Sequence, residues 1–104
     1  MSKAERLLNG WRNKCPADVS AREFEAVIDH HLGRWLRKKS SRGSHLFIVE
    51  HPALAFHSNF SPHNTFSAPV KSGRRVKGIY VKHLIKAIDC IQEWEGDRAK
   101  EEDR

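Results

Sequence analysis

The sequence predicts a small α+β domain in which two core-forming helices enclose three short strands, with one further helix at the N-terminus. Three observations predict it. One helical face is outlined twice, by Phe24, Val27, Ile28, His31 and Leu32 and again by Val81, Leu84, Ile85, Ile88 and Ile91. Between those stripes lie brief runs rich in β-branched and aromatic residues, punctuated by glycine, proline and serine. Finally, 104 residues suffice for one modest core and leave nothing for a second.

From Lys3 to Asn13, Leu7, Leu8 and Trp11 recur at helical spacing, which predicts a short amphipathic helix that the Pro16 region breaks. Ser20-Ala21-Arg22-Glu23 reads as a capping box, with Glu23 able to reach back to the Ser20 amide. The Phe24–Leu32 stripe follows, and Gly33 stands where a C′ glycine would end the helix. Arg34 to Lys39 predicts a first strand, Ser40 to Gly43 a tight connection, and Ser44 to Glu50 the return strand of a hairpin. His51-Pro52 ends that strand, because proline cannot donate to a ladder. Residues 53–65 read as a loop, Thr65 to Val70 as a third strand, and Lys71 to Gly78 as a basic, glycine-bounded loop. The final helix is expected to begin near Ile79 or Tyr80. Beyond Gly96 the chain is nearly all charged and is expected to fray. The expected organisation is an extra helix over 1–15, one domain over 16–95 and a charged tail over 96–104.

Charge is sorted along the chain. The net charge is +6, yet residues 1–33 carry five basic and five acidic side chains and so sum to zero. Residues 34–86 carry eleven basic residues against Glu50 alone, and residues 87–104 carry three basic against seven acidic. Solubility does not require such sorting; a polyanionic partner does. No apolar run is long enough to cross a bilayer, so no membrane partner is expected. The N-terminus carries Glu5 and lacks an apolar core segment, so no secretory signal is expected and a cytoplasmic location is. Cys15 and Cys90 lie far apart and read as two reduced structural thiols.

The middle segment holds Arg42-Gly43-Ser44-His45-Leu46-Phe47. A strand resting on a core ordinarily opens with Val, Ile or Phe. This one opens with a glycine, a hydroxyl and an imidazole, among cations. Cleaving RNA needs a base for the 2′-hydroxyl, an acid for the leaving 5′-oxygen, and positive charge around the phosphate. Imidazole suits either proton step because its pKa of about 6.5 lies near working pH. Gly43 allows close approach of backbone to phosphate, and Ser44 can donate a hydrogen bond to it. Arg42, Lys71, Arg74, Arg75 and Lys77 can bind the RNA backbone. For a lone histidine, capping the strand is the commoner role, and that alternative stays open at this point.

The other histidines do not make a metal pattern. His51, His57 and His63 are spaced six apart and His30-His31 are adjacent, unlike structural zinc spacings, so they read as loop and surface histidines and no cofactor is expected. His83, between Lys82 and the next helical turn's Lys86, reads as a solvated helix position. Trp35 and Phe47 read as core; Phe56 and Phe60, in a polar loop, suit either base stacking, a partner contact or a satellite core.

From Ser20 to Ile91 the chain resembles the HicA-type toxins of bacterial toxin–antitoxin pairs. The resemblance rests on the Phe24–Leu32 helix, Gly43-Ser44-His45 followed by Phe47, His51-Pro52, Pro69-Val70, and Gly73 to Gly78 followed by Tyr80-Val81 and the apolar helix. The opening Ser2 to Leu8 resembles the N-terminal helix of longer members. The resemblance implies a double-stranded-RNA-binding-domain-like fold, ribosome-independent cleavage of mRNA, a catalytic histidine at His45, and a HicB-type antitoxin protein as partner; the leading expectation is a metal-independent endoribonuclease. Two departures stand out: Leu46 occupies the place of a second histidine found in many members, and the Pro52–Pro69 stretch is long. A non-catalytic RNA-binding module, a degenerated toxin and a docking protein for an acidic partner are the competing expectations.

Overall fold

The computed structural model describes residues 2–38, 46–56, 65–71 and 74–102. Its first helix, α1, spans Lys3–Asn13. Ser2 caps it, its hydroxyl oxygen accepting from the Glu5 amide at 3.2 Å. Ala4, Leu8 and Trp11 form the buried face, one turn apart. Arg12 then fastens α1 to the last helix by two hydrogen bonds to Asp89, 2.6 and 3.0 Å long.

Strand β1 is Asp18–Ser20 and helix α2 is Ala21–Leu32. The Ser20 half of the capping box forms, its hydroxyl accepting from the Glu23 amide at 3.1 Å, while the Glu23 carboxylate accepts from the Ser20 hydroxyl at 3.1 Å rather than from the Ser20 amide. Phe24, Val27, Ile28 and Leu32 are buried, as their spacing requires. Gly33, however, is right-handed (φ −54°, ψ −36°) rather than a left-handed C′ residue, and the chain tightens into a 3-10 turn over Gly33–Trp35. That turn consumes the start of the expected first strand. Strand β2 is therefore Leu36–Lys38 rather than Arg34–Lys39.

Strands β3 (Leu46–Glu50) and β4 (Thr65–Pro69) complete an antiparallel sheet of order β2-β3-β4. Phe47 faces Ala68 and Val49 faces Phe66 across β3 and β4, and all four side chains are buried. Alternation with period two thus puts one face of the sheet on the core. Phe24 of α2 lies on that face, its ring 5.4 Å from Phe47 and 6.3 Å from Phe66. Burying such an aromatic is worth about 1.5–3 kcal/mol.

Three segments depart from the sequence expectations. After Pro52 the chain makes a 3-10 turn over Pro52–Phe56 instead of open loop, with Ala53 and Leu54 buried. Residues 75–77 are not loop but strand β5 (Arg75–Lys77), which pairs antiparallel with β1 in a second, two-stranded sheet. The last helix, α3, runs from Gly78 through Gly96 to Glu102, so the expected fraying point is spanned by helical backbone. At 1.5 Å per residue its 25 residues reach roughly 37 Å. Val81, Leu84, Ala87, Ile88 and Ile91 bury its inner face, and the same core cluster draws on α1, α2 and the sheet. The architecture is α+β, with three helices and small antiparallel sheets compatible with an α-β-β-β-α order around the main sheet. Among the described residues no helix is long and apolar enough to cross a membrane.

Candidate nucleic-acid interface

Part of the cationic segment forms one strand of a ribbon. Residues Asp18, Val19 and Ser20 of β1 stand opposite Lys77, Val76 and Arg75 of β5. Val19 and Val76 are buried, which turns the alternate residues outward, so Asp18, Ser20, Arg75 and Lys77 share one outer face. Short as it is, the ribbon is pinned at both ends. Gly78 donates its amide to the Ala17 carbonyl at 2.8 Å, and Ala21, the first residue of α2, donates to the Arg74 carbonyl at 2.8 Å. The latter bond satisfies an amide that the helix start would otherwise leave without a partner.

Arg74 itself has φ 55°, alone among non-glycine residues of the described chain in being left-handed. That conformation costs on the order of 1 kcal/mol for a residue with a Cβ. It closes the turn in which Lys71 and Arg75 exchange backbone hydrogen bonds of 2.8 and 3.3 Å. Lys71, Arg74, Arg75 and Lys77 are all exposed. Arg75 is engaged with Asp18: Nε donates to Oδ1 at 2.9 Å, and Nη2 donates to the same oxygen. Both side chains remain nearly half exposed.

The register of the main sheet relates this ribbon to the histidine turn. Leu46, the first residue of β3, pairs with Pro69, the last of β4. The chain leaves β4 through Val70 into Lys71, so the basic turn begins at the same end of the sheet as β3. Of the residues singled out from sequence, Lys71, Arg74 and Arg75 share the turn that leaves this end of the sheet, and Lys77 follows in β5. Arg42, Gly43, Ser44 and His45 lie outside the described residues, as do His57, Phe60 and His63. Tyr80 is half-buried at the start of α3 and packs edge-on to His83.

The sequence reading of His51 as a loop or surface histidine is corrected. His51 is fully buried, held edge-on between Trp35 and Trp94 with ring centroids 4.3 and 4.9 Å away. Its Nδ1 accepts from the Ala53 amide at 3.0 Å, which assigns the ring proton to Nε2. Nε2 lies 3.5 Å from Glu95 Oε1 without hydrogen-bond geometry. Burial pushes the imidazole pKa below its ordinary value, and the nearby Glu95 carboxylate opposes that shift. A ring with no exposed surface touches no substrate; it locks the Pro52 turn to α3. His31 is likewise shifted down, first by burial and then by the adjacent His30.

Among the described residues no three His, Cys, Asp or Glu side chains gather as metal ligands. Cys15 and Cys90 are free and half-buried; the Cys15 thiol donates to the Gly78 carbonyl at 3.5 Å, and burial raises the pKa of the Cys90 thiol. Sequence reasoning missed Asp18 and the whole β1–β5 ribbon. The only signal was two polar–apolar–polar triplets, Asp18-Val19-Ser20 and Arg75-Val76-Lys77, each too short to stand out. Comparison with protein-family models, curated proteins and solved structures finds no match to this chain.

Proposed function

We propose that this protein is an RNA-binding endoribonuclease of the HicA toxin type. In this reading α2, β2, β3, β4 and α3 correspond to a double-stranded-RNA-binding-domain-like fold and α1 to the extra helix of longer members. The observation that carries it is the pairing of Leu46 with Pro69. His45 precedes Leu46 in the sequence, and Lys71 lies two residues beyond Pro69, so the strand end that follows the candidate proton-transfer residue in the chain is paired with the one that leads into the cationic turn. RNA bound along Lys71, Arg74 and Lys77 would have its phosphate charge neutralised beside an imidazole able to move a proton. His45 takes the acid–base role, Gly43 and Ser44 the close phosphate contact, and Arg42 a backbone contact. The natural antagonist in this reading is a HicB-type antitoxin with carboxylates for the same cations.

The test is incubation of the purified protein with RNA in EDTA, beside His45→Ala and a Lys71→Ala/Arg74→Ala/Lys77→Ala variant. Cleavage by wild type, loss of cleavage with retained binding in His45→Ala, and loss of binding in the triple variant are expected. Intact RNA with wild type but salt-sensitive binding would select a non-catalytic RNA-binding module. No binding at all would overturn the proposal.

A further inference from the structure

Asp18 is the one carboxylate on the outer face of the β1–β5 ribbon, and it sits directly opposite Lys77 and diagonally from Arg75. Its Oδ1 takes both the Nε–H and an Nη–H of Arg75, the two-donor grip that a guanidinium also offers a phosphate oxygen. Nothing about the ribbon requires this pair. The strands are held by their ladder, by the buried Val19 and Val76, and by the backbone bonds at Ala21 and Gly78. With nearly half of each side chain in water, the ion pair adds little to folding. It does, however, occupy the Nε–Nη2 edge of the one arginine that faces outward from the ribbon.

We infer that Asp18 is an internal surrogate for an RNA phosphate: it holds Arg75 in the free protein and is exchanged for a backbone phosphate when RNA binds. This inference rests on the RNA-binding reading above and adds a residue that regulates the same surface. Displacement is inexpensive because the pair is solvated on both sides, and the released carboxylate faces water. The wild-type surface is thereby kept weaker than its cations allow. Lys71, Arg74 and Lys77 make the standing contacts, while the Nε–Nη2 edge of Arg75 is available only to a ligand that outcompetes Asp18.

The experiment is RNA binding, measured by fluorescence anisotropy with a labelled single-stranded RNA across a series of salt concentrations. The proteins are wild type, Asp18→Asn, Arg75→Gln, the double variant, and Glu93→Gln as a control for the same charge change away from the ribbon. Asp18→Asn should tighten binding by about three- to tenfold and leave the log–log salt slope nearly unchanged, because Arg75 contacts a phosphate in both complexes and only its release from Asp18 is saved. Glu93→Gln should change affinity by less than about twofold, as expected for a solvent-screened charge. In the Arg75→Gln background the Asp18→Asn gain should vanish. A gain that survives without Arg75, or weaker binding by Asp18→Asn with its urea midpoint unchanged, would overturn the inference. If Asp18→Asn also loses stability, its affinity is corrected for the folded fraction read from the urea curve: a remaining Arg75-dependent gain supports the surrogate and no gain refutes it. Absence of wild-type binding would instead sink the RNA-binding reading itself.

Discussion

Replacing Gly78 by alanine should destabilise the protein, whereas the same change at Gly96, in the same helix, should stabilise it. Helix propensity favours alanine over glycine by up to about 1 kcal/mol. At Gly96 nothing lies within 4 Å of the added methyl, so a gain of about 0.5–1 kcal/mol is expected. At Gly78 the new Cβ would stand 2.2 Å from the Pro16 carbonyl oxygen and 3.1 Å from that of Ala17. Both obstacles are backbone atoms, so relief requires the segment before β1 to move by more than an ångström. Overpacking of this kind costs about 1–3 kcal/mol. The same movement strains the 2.8 Å hydrogen bond from the Gly78 amide to Ala17, itself worth about 1 kcal/mol. Set against the propensity gain, the net loss is about 1–3 kcal/mol. Urea unfolding at pH 7 reads it directly. With an m-value of roughly 1–3 kcal/mol/M, the Gly78→Ala midpoint should fall by about 1 M and that of Gly96→Ala should rise by a few tenths. A Gly78→Ala protein as stable as wild type would refute the close approach of the 16–17 segment to the start of α3, and with it the clamp on the cationic ribbon.

His51 and His31 are both shifted downward by burial, so the unfolded chain binds more protons than the folded one below about pH 6.5, and stability should rise with pH through that range. Each group contributes up to about 1.4 kcal/mol per pH unit, and urea midpoints at pH 7.5, 6.5 and 5.5 should fall in that order, with a shallower fall in His51→Gln; a flat wild-type profile would contradict the burial of these rings. Ser20→Ala removes the hydroxyl that caps α2 and should cost about 1 kcal/mol, while Ser20→Asp should recover most of it, as thermal melts would show. Leu54→Ala empties a fully buried site in the turn after Pro52 and should cost about 2–5 kcal/mol, whereas an open loop there would lose almost nothing in the same denaturation assay.

What was legible in the candidate site was its charge and its strand end. Lys71, Arg74, Arg75 and Lys77 stand out in the chain as cations without nearby acids, and β3 and β4 are legible as apolar runs between turn residues. Asp18 is 57 residues from Arg75, and no local pattern joins them. His51 looked like a strand terminator because its neighbour is proline. Its burial comes from Trp35 and Trp94, far from it in the chain on opposite sides, and one-dimensional spacing carries no trace of that enclosure.

The sequence by itself determined the elements whose signals are local. The caps at Ser2 and Ser20, the stripes of α1, α2 and α3, and the alternation of β3 and β4 each follow from a few adjacent residues and the backbone's own periodicities. Tertiary structure decided the rest. A three-residue strand such as β5 forms no stable structure alone and exists only because β1 supplies its hydrogen-bond partners while the core accepts Val19 and Val76. Gly33 is right-handed where a left-handed stop is expected, and the helical backbone of α3 continues through Gly96 into the charged residues. Local chemistry chose the pieces; the long-range pairing of β1 with β5 set which cation faces a carboxylate and which faces water.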